Sequence, residues 1–116
     1  MRDSAVPVGV RILVGDRALL LSAEIVREVA EVVPITPLPQ VPAAVLGVGT
    51  HRGMPVTILD ARRLIGVAPQ GTGPGALVLC EVQGRRVGLV VDDVLGVGGE
   101  AAPWDLAAAL GPLFDG

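Results

Sequence analysis

Residues 41–66 read VPAAVLGVGTHRGMPVTILDARRLIG, and the reading of this stretch decides the fold. Two apolar runs, 43–48 and 56–59, flank Thr50-His51-Arg52-Gly53. Short Val/Leu/Ile runs bounded by turn residues read as buried strands. Pro55 marks the second run as an edge strand or a strand start, because it has no N–H for a ladder. Residues 60–65 read as one helical turn closed by Gly66. An Arg-Gly between two buried strands is either a solvated hairpin tip or a surface that another molecule binds.

Working outward, Val8, Val10, Ile12 and Val14 alternate with Gly9, Arg11, Leu13 and Gly15, a period-2 strand. Gly15-Asp16 turns it into a second strand over 17–21. Ser22 is expected to cap a short helical turn through Arg27, with Glu24 at its positive end. Alternation resumes over 28–35. Pro34, Pro37, Pro39 and Pro42 then fall within nine residues. Lacking donors, they exclude helix and central strand and predict a stiff, extended crossover. Residues 67–75 read as a mobile loop. Runs 76–82 and 85–91 predict a hairpin across Gln83-Gly84, and Gly96, Gly98 and Gly99 break the pattern. Residues 103–110 predict a short helix with Pro103 at an early position. No internal repeat is evident.

The 116 residues suit a single domain, 1–116, with a flexible N-terminus over 1–7. Aromatics are 2 % of the chain while Val alone supplies 20 residues, so the core must be aliphatic. That favours strands, and the expected class is all-β with minor short helices. Net charge is −3, Lys is absent and the nine Arg are scattered, which excludes a phosphate-tracking surface. One Cys precludes an internal disulfide and suits a reducing compartment. With no long apolar run and no signal-peptide core, the expectation is a cytoplasmic protein without membrane insertion.

The catalytic inventory is thin: one His, one Cys and two Ser. Ser4 lies near the chain start and Ser22 reads as a cap, so neither makes a triad with His51. His51 reads as a surface loop residue. Cys80, inside LVLCEV, reads as a small buried hydrophobe. Asp92 and Asp93 are adjacent and point to opposite faces of a strand, so they cannot chelate together. Residues 47–53 have the wrong spacing for a dinucleotide loop, and a strand follows instead of a helix. The expectation is no enzyme, no metal and no cofactor. Arg62-Arg63 reads as a solvated turn, and Trp104 as a lid on a core or, if exposed, a partner anchor.

Taken together, the segment 35–39 (ITPLP), the apolar stretch 42–48, Arg52-Gly53, Asp60-Ala61-Arg62 and Val87-Gly88-Leu89-Val90-Val91-Asp92-Asp93-Val94 occur in a telling order. Over roughly residues 8–98 the chain resembles the CheW-like coupling-protein family of bacterial chemosensory systems. The resemblance implies two SH3-like β-barrels packed together and a non-enzymatic adaptor. It implies binding of the helical cytoplasmic tip of a chemoreceptor in a groove between the barrels. It also implies contacts with the regulatory domain of a CheA-type histidine kinase or with another CheW-like protein. Receptor binding then falls to Glu28, Val29, Arg52, Gly53, Val87, Leu89 and Val91, with Glu28 and Arg52 as an acid–Arg pair. Trp104 and Arg62 are further partner-contact candidates. Thr50-His51 replaces the family's Asn-Leu. Members usually continue past the Val-Val-Asp strand, so the second barrel is expected to be shortened and kinase binding to be weak or absent. The rivals are a conventional coupling protein that bridges receptor and kinase, and a small β-barrel oligomerisation module.

Overall fold

Alternation does set the first strand: Val10, Ile12 and Val14 face inward and are buried, and Arg11 and Leu13 face the other side. In the computed structural model, which describes residues 8–67 and 75–114, nine strands and two helices follow in order. They are β1 (Gly9–Val14), β2 (Arg17–Ser22), β3 (Val26–Ala30), β4 (Val45–His51), β5 (Met54–Asp60), α1 (Ala61–Ile65), β6 (Ala76–Val82), β7 (Arg85–Val91), β8 (Asp93–Val97), β9 (Ala102–Pro103) and α2 (Leu106–Phe114). The all-β expectation holds. The expected flexible terminus 1–7 and all but the ends of the expected loop 67–75 lie outside the described residues.

The strands form two sheets. One has the order β8-β1-β2-β9, the other β3-β6-β7-β5-β4. After β3 the chain runs along the far edge of the five-stranded sheet. Thr36 and Val48 exchange both backbone hydrogen bonds there, at 2.8 and 2.9 Å. This contact joins the two ends of the sheet and closes it into a barrel. Gly47 permits it: a Cβ at this position, where φ is 147°, would strike the Thr36 carbonyl. The four-stranded sheet has no such closure among the described residues. The two are called the closed and the open sheet below.

The sheets share one core. Val10, Ile12, Val14 and Leu21 of the open sheet pack against Val78, Cys80, Val82, Leu89 and Leu59 of the closed sheet, with Leu106 and Leu110 of α2. Each fully buried aliphatic side chain here contributes roughly 1.5–3 kcal/mol of transfer free energy. A second cluster, Val56, Ile58, Leu77 and Leu79, fills the closed barrel beneath Val33, Ile35 and Leu46.

The structure contains a repeat that the sequence hides. β6–β7 and β1–β2 are hairpins with the same pairing around a two-residue turn: Val82↔Arg85 matches Val14↔Arg17, and Val78↔Leu89 matches Val10↔Leu21. β3 and β8 flank them identically. Val26↔Cys80 then Glu28↔Leu79, across a bulge, matches Ile12↔Val94 then Arg11↔Gly96. On the other side β5 lies parallel to β7 and β9 parallel to β2. Thr57↔Val87 and Ile58↔Gly88 match Ala102↔Leu19 and Pro103↔Leu20. Each of these strands leads into a helix behind an Asp. The Asp60 carboxylate accepts from Arg62 N–H and the Asp105 carboxylate from Ala108 N–H. Only β4 has no counterpart among the described residues.

Two local expectations are corrected, and of the two readings of Pro55 the strand start holds. Residues 23–25 make a tight turn and not a helical one. The Ser22 hydroxyl accepts from Glu24 N–H at 3.1 Å, and Val26 onward is taken up by pairing with β6. The last helix begins at Leu106, because Pro103 is spent in β9 and Asp105 is the cap. Pro55 lies at the start of an interior strand and not on an edge. It pairs with Thr50 of β4, and β7 joins only from Thr57, so the missing donor breaks no rung to β7.

Candidate functional site

The β4–β5 turn is two residues long, and both have positive φ: Arg52 at 52° and Gly53 at 78°. That is a type I′ turn, whose twist suits the flanking strands and whose second position favours Gly. It holds the Arg52 side chain over β3. Arg52 Nε donates to Glu28 Oε1 at 3.1 Å and Nη2 to Glu28 Oε2 at 2.9 Å, a two-pronged fork. β3 and β4 are the two ends of the closed sheet, so the pair spans the barrel seam. Glu28 is on this side of β3 because the bulge between Val26 and Glu28 re-aims it.

His51 also reaches the carboxylate, with Nε2 3.6 Å from Glu28 Oε2. It is a half-buried residue at the end of β4, with its side chain 18 % exposed, and not the surface loop residue expected. The Arg52 hydrogen bonds hold the Glu28 carboxyl below the ordinary carboxylate range against its partial burial, and His51 adds to the effect. The carboxylate is therefore ionised at neutral pH. Arg52 keeps most of its surface, with its side chain 74 % exposed. Glu28 thus orients a guanidinium that still faces solvent.

Arg27, Glu81, Arg86, Leu79 and Cys80 join this trio around a depression of about 190 Å³. Arg27 pairs with Glu81 at 3.7 Å. Burial pushes the Cys80 thiol up to about 12, so it stays protonated near neutrality and offers no thiolate nucleophile. Val29 and Met54, next in chain to Glu28 and Gly53, are exposed apolar residues; alternation along β3 turns Val29 to the opposite face of the sheet from Glu28.

Other expected site residues lie elsewhere. Val87, Leu89 and Val91 are 1 %, 0 % and 2 % exposed, because their side of β7 faces the shared core. They cannot present surface to a partner, which corrects their assignment as contact residues. Arg62 is not in a solvated turn. Its Nη1 lies 3.6 Å from Asp92 Oδ1 and its Nε 3.8 Å from Asp60 Oδ1, while Asp92 Oδ2 accepts from Gly15 N–H at 2.6 Å. Arg62 thereby links α1 to the β1–β2 hairpin of the other sheet. Trp104 is half-buried, packs on the shared core and lines a groove at the start of α2.

The sequence reading missed His51, Arg27 and Arg86 as neighbours of the pair. The signal available was alternation: Arg86 pairs with Glu81 directly across the β6–β7 hairpin. Among the described residues no group of three His, Cys, Asp or Glu side chains could hold a metal ion. Among the described residues no helix is long and apolar enough to cross a membrane.

Residues 9–98 match the CheW-like domain. The chain is 38 % identical over 82 residues to the chemotaxis protein CheW of Rhizobium meliloti, covering 70 % of this chain and 53 % of that protein. It is 38 % identical over 85 residues to the protein FrzA of Myxococcus xanthus, covering 72 % and 53 %. The chain therefore spans about half the length of these curated relatives. Its fold matches the crystal structure of the scaffolding protein TtCheW from Thermoanaerobacter tengcongensis with a TM-score of 0.73 at 24 % identity, over 84 % of this chain and 66 % of that one. With the two-sheet architecture and these matches together, the chain belongs to the CheW-like domain family.

Proposed function

We propose that this protein is a non-enzymatic adaptor of a chemosensory array that binds the cytoplasmic tip of a chemoreceptor through the surface around Arg52. The observation that carries the reading is the Glu28–Arg52 fork across the barrel seam. An ion pair this exposed adds little to stability. What it does supply is a guanidinium held in one direction, with Met54 exposed next in chain to the turn. A receptor tip is a helical hairpin. A helix that sets an apolar residue on Met54 and an acidic residue against Arg52 would use both features. Such a partner places the protein in the cytoplasm.

The test is a titration of a soluble receptor-tip fragment against the wild type, Arg52→Glu and Arg52→Ala. Arg52→Glu is expected to abolish binding and to leave the urea unfolding midpoint unchanged, because the side chain is mostly in solvent. Equal affinity for all three proteins would sink the reading. A parallel titration with the kinase regulatory domain separates a receptor adaptor from a bridging coupling protein. Self-association without receptor affinity would instead indicate an oligomerisation module.

A further inference from the structure

The place of β4 in the open sheet is a groove. In the closed sheet the start of β4 lies beside the end of β5: Val45 pairs with Leu59, and Asp60 N–H donates to the Ala44 carbonyl at 2.8 Å. The repeat equates Leu59 with Trp104 and Asp60 with Asp105. Beside Trp104 and Asp105 the described residues place no strand. A cavity of about 490 Å³ opens there instead, walled by Val8, Leu20, Ile25, Pro103, Trp104 and Ala107. Among the described residues no carbonyl meets the Asp105 N–H. An apolar trough and an unused backbone donor thus occur together at the one step of the repeat that lacks its covering strand.

We infer that this groove seats a short extended apolar segment of a different protein, laid against β9 as β4 lies against β5. The occupant presents a carbonyl to Asp105 N–H, a small residue there as Ala44 is at Asp60, and a larger aliphatic residue inward as Leu46 is in the closed barrel. Pro103 stands where the closed sheet has Ile58 and has no N–H, so the edge cannot template a long strand. The contact is short and takes its strength from burying Trp104, Ile25 and Val8, of which Val8 is 66 % exposed. This surface is distinct from the Arg52 turn and does not rest on receptor binding.

The probe is a peptide of residues 42–51, PAAVLGVGTH, which is the segment that fills the equivalent place. Trp104 is the only Trp, so its emission reports this groove alone. Titration into the intact protein is expected to give a saturable blue shift of Trp104 and slower hydrogen exchange at the Asp105 amide. A peptide with Asp at its Val45 and Leu46 positions is expected to give neither. Val8→Asp, which puts a charge on an exposed apolar wall of the trough, should weaken binding by about tenfold or more. Unchanged Trp104 emission and unchanged Asp105 exchange at millimolar peptide would overturn the inference, and this readout needs no variant to fold. Protection of the Asp105 amide that grows with protein concentration in the absence of peptide would also overturn it, since the groove would then be filled by a second copy.

Discussion

The closed and open sheets carry the same hairpin, the same bulged flanking strand and the same parallel strand leading to an Asp-capped helix, yet among the described residues only one of them closes into a barrel. The difference is written in one contact. In the closed sheet Leu77 leans over Gly88, where a Cβ would come within 2.9 Å of both Leu77 and Ile58. In the open sheet the matching pair is Gly9 and Leu20, with the large and small partners exchanged. Leu20 covers Gly9 so closely that a Cβ there would meet it at 3.0 Å. A face roofed by other strands takes its volume from several elements and needs Gly beneath them. A face without a roof covers itself with its own Leu. The polar trio is equally one-sided: Glu28 has Gly96 as its counterpart, and Arg52 and His51 sit on a hairpin that the open sheet lacks.

The largest effect that can break this comparison is at the matched positions Ile58 and Pro103. Ile58→Ala should lose about 2–5 kcal/mol of stability, because Ile58 is 0 % exposed inside the roofed barrel. Pro103→Ala, on an exposed edge, should stay within about 0.5 kcal/mol. Urea denaturation of the two variants decides it, and equal losses would mean that the open sheet is roofed as well. A smaller effect is expected from importing the open sheet's residue into the closed one. Gly88→Leu should cost about 1–3 kcal/mol by overpacking, and Leu77→Gly added to it should recover part of that loss. An additive double variant would show that the exchange of large and small residues is coincidental.

The smallest effect concerns the polar trio. An unfolded Glu titrates near about 4.3. Arg52 lowers the folded value of Glu28, so the pair's contribution is complete above the unfolded value and is lost as pH falls through the folded one. The Glu28 carboxyl followed by NMR should therefore titrate below the ordinary range, and Arg52→Ala should bring it back up. A midpoint unmoved by Arg52→Ala would remove the fork as the cause.

Much of the strand order was legible. Period-2 alternation located β1, the Gly15-Asp16 turn located β2, Gln83-Gly84 located the β6–β7 turn, and the Pro run located the crossover that closes the barrel. The Glu28–Arg52 pair was legible only through family resemblance, because 24 residues separate the partners and nothing local marks the bulge that aims Glu28. Val87, Leu89 and Val91 look the same in a sequence whether their side of β7 meets solvent or a second sheet. Burial on both faces depends on where the other sheet lies. The repeat is faint in the sequence because its identities are scattered: Val78, Val82, Arg85 and Leu89 match Val10, Val14, Arg17 and Leu21, but Cys80 stands for Ile12, Trp104 for Leu59 and Gly96 for Glu28.

By itself the sequence determined the class of fold, the aliphatic core, the turn chemistry at Arg52-Gly53 and the absence of a local catalytic constellation. These depend on backbone preference and side-chain type, which act over a few residues. Tertiary structure alone decided that the two ends of one sheet meet, so that Arg52 and His51 converge on Glu28. It also decided that the matching face of the other sheet is left with a groove at Trp104. Both depend on which strands become neighbours, and that is settled by the packing of two sheets on one shared core.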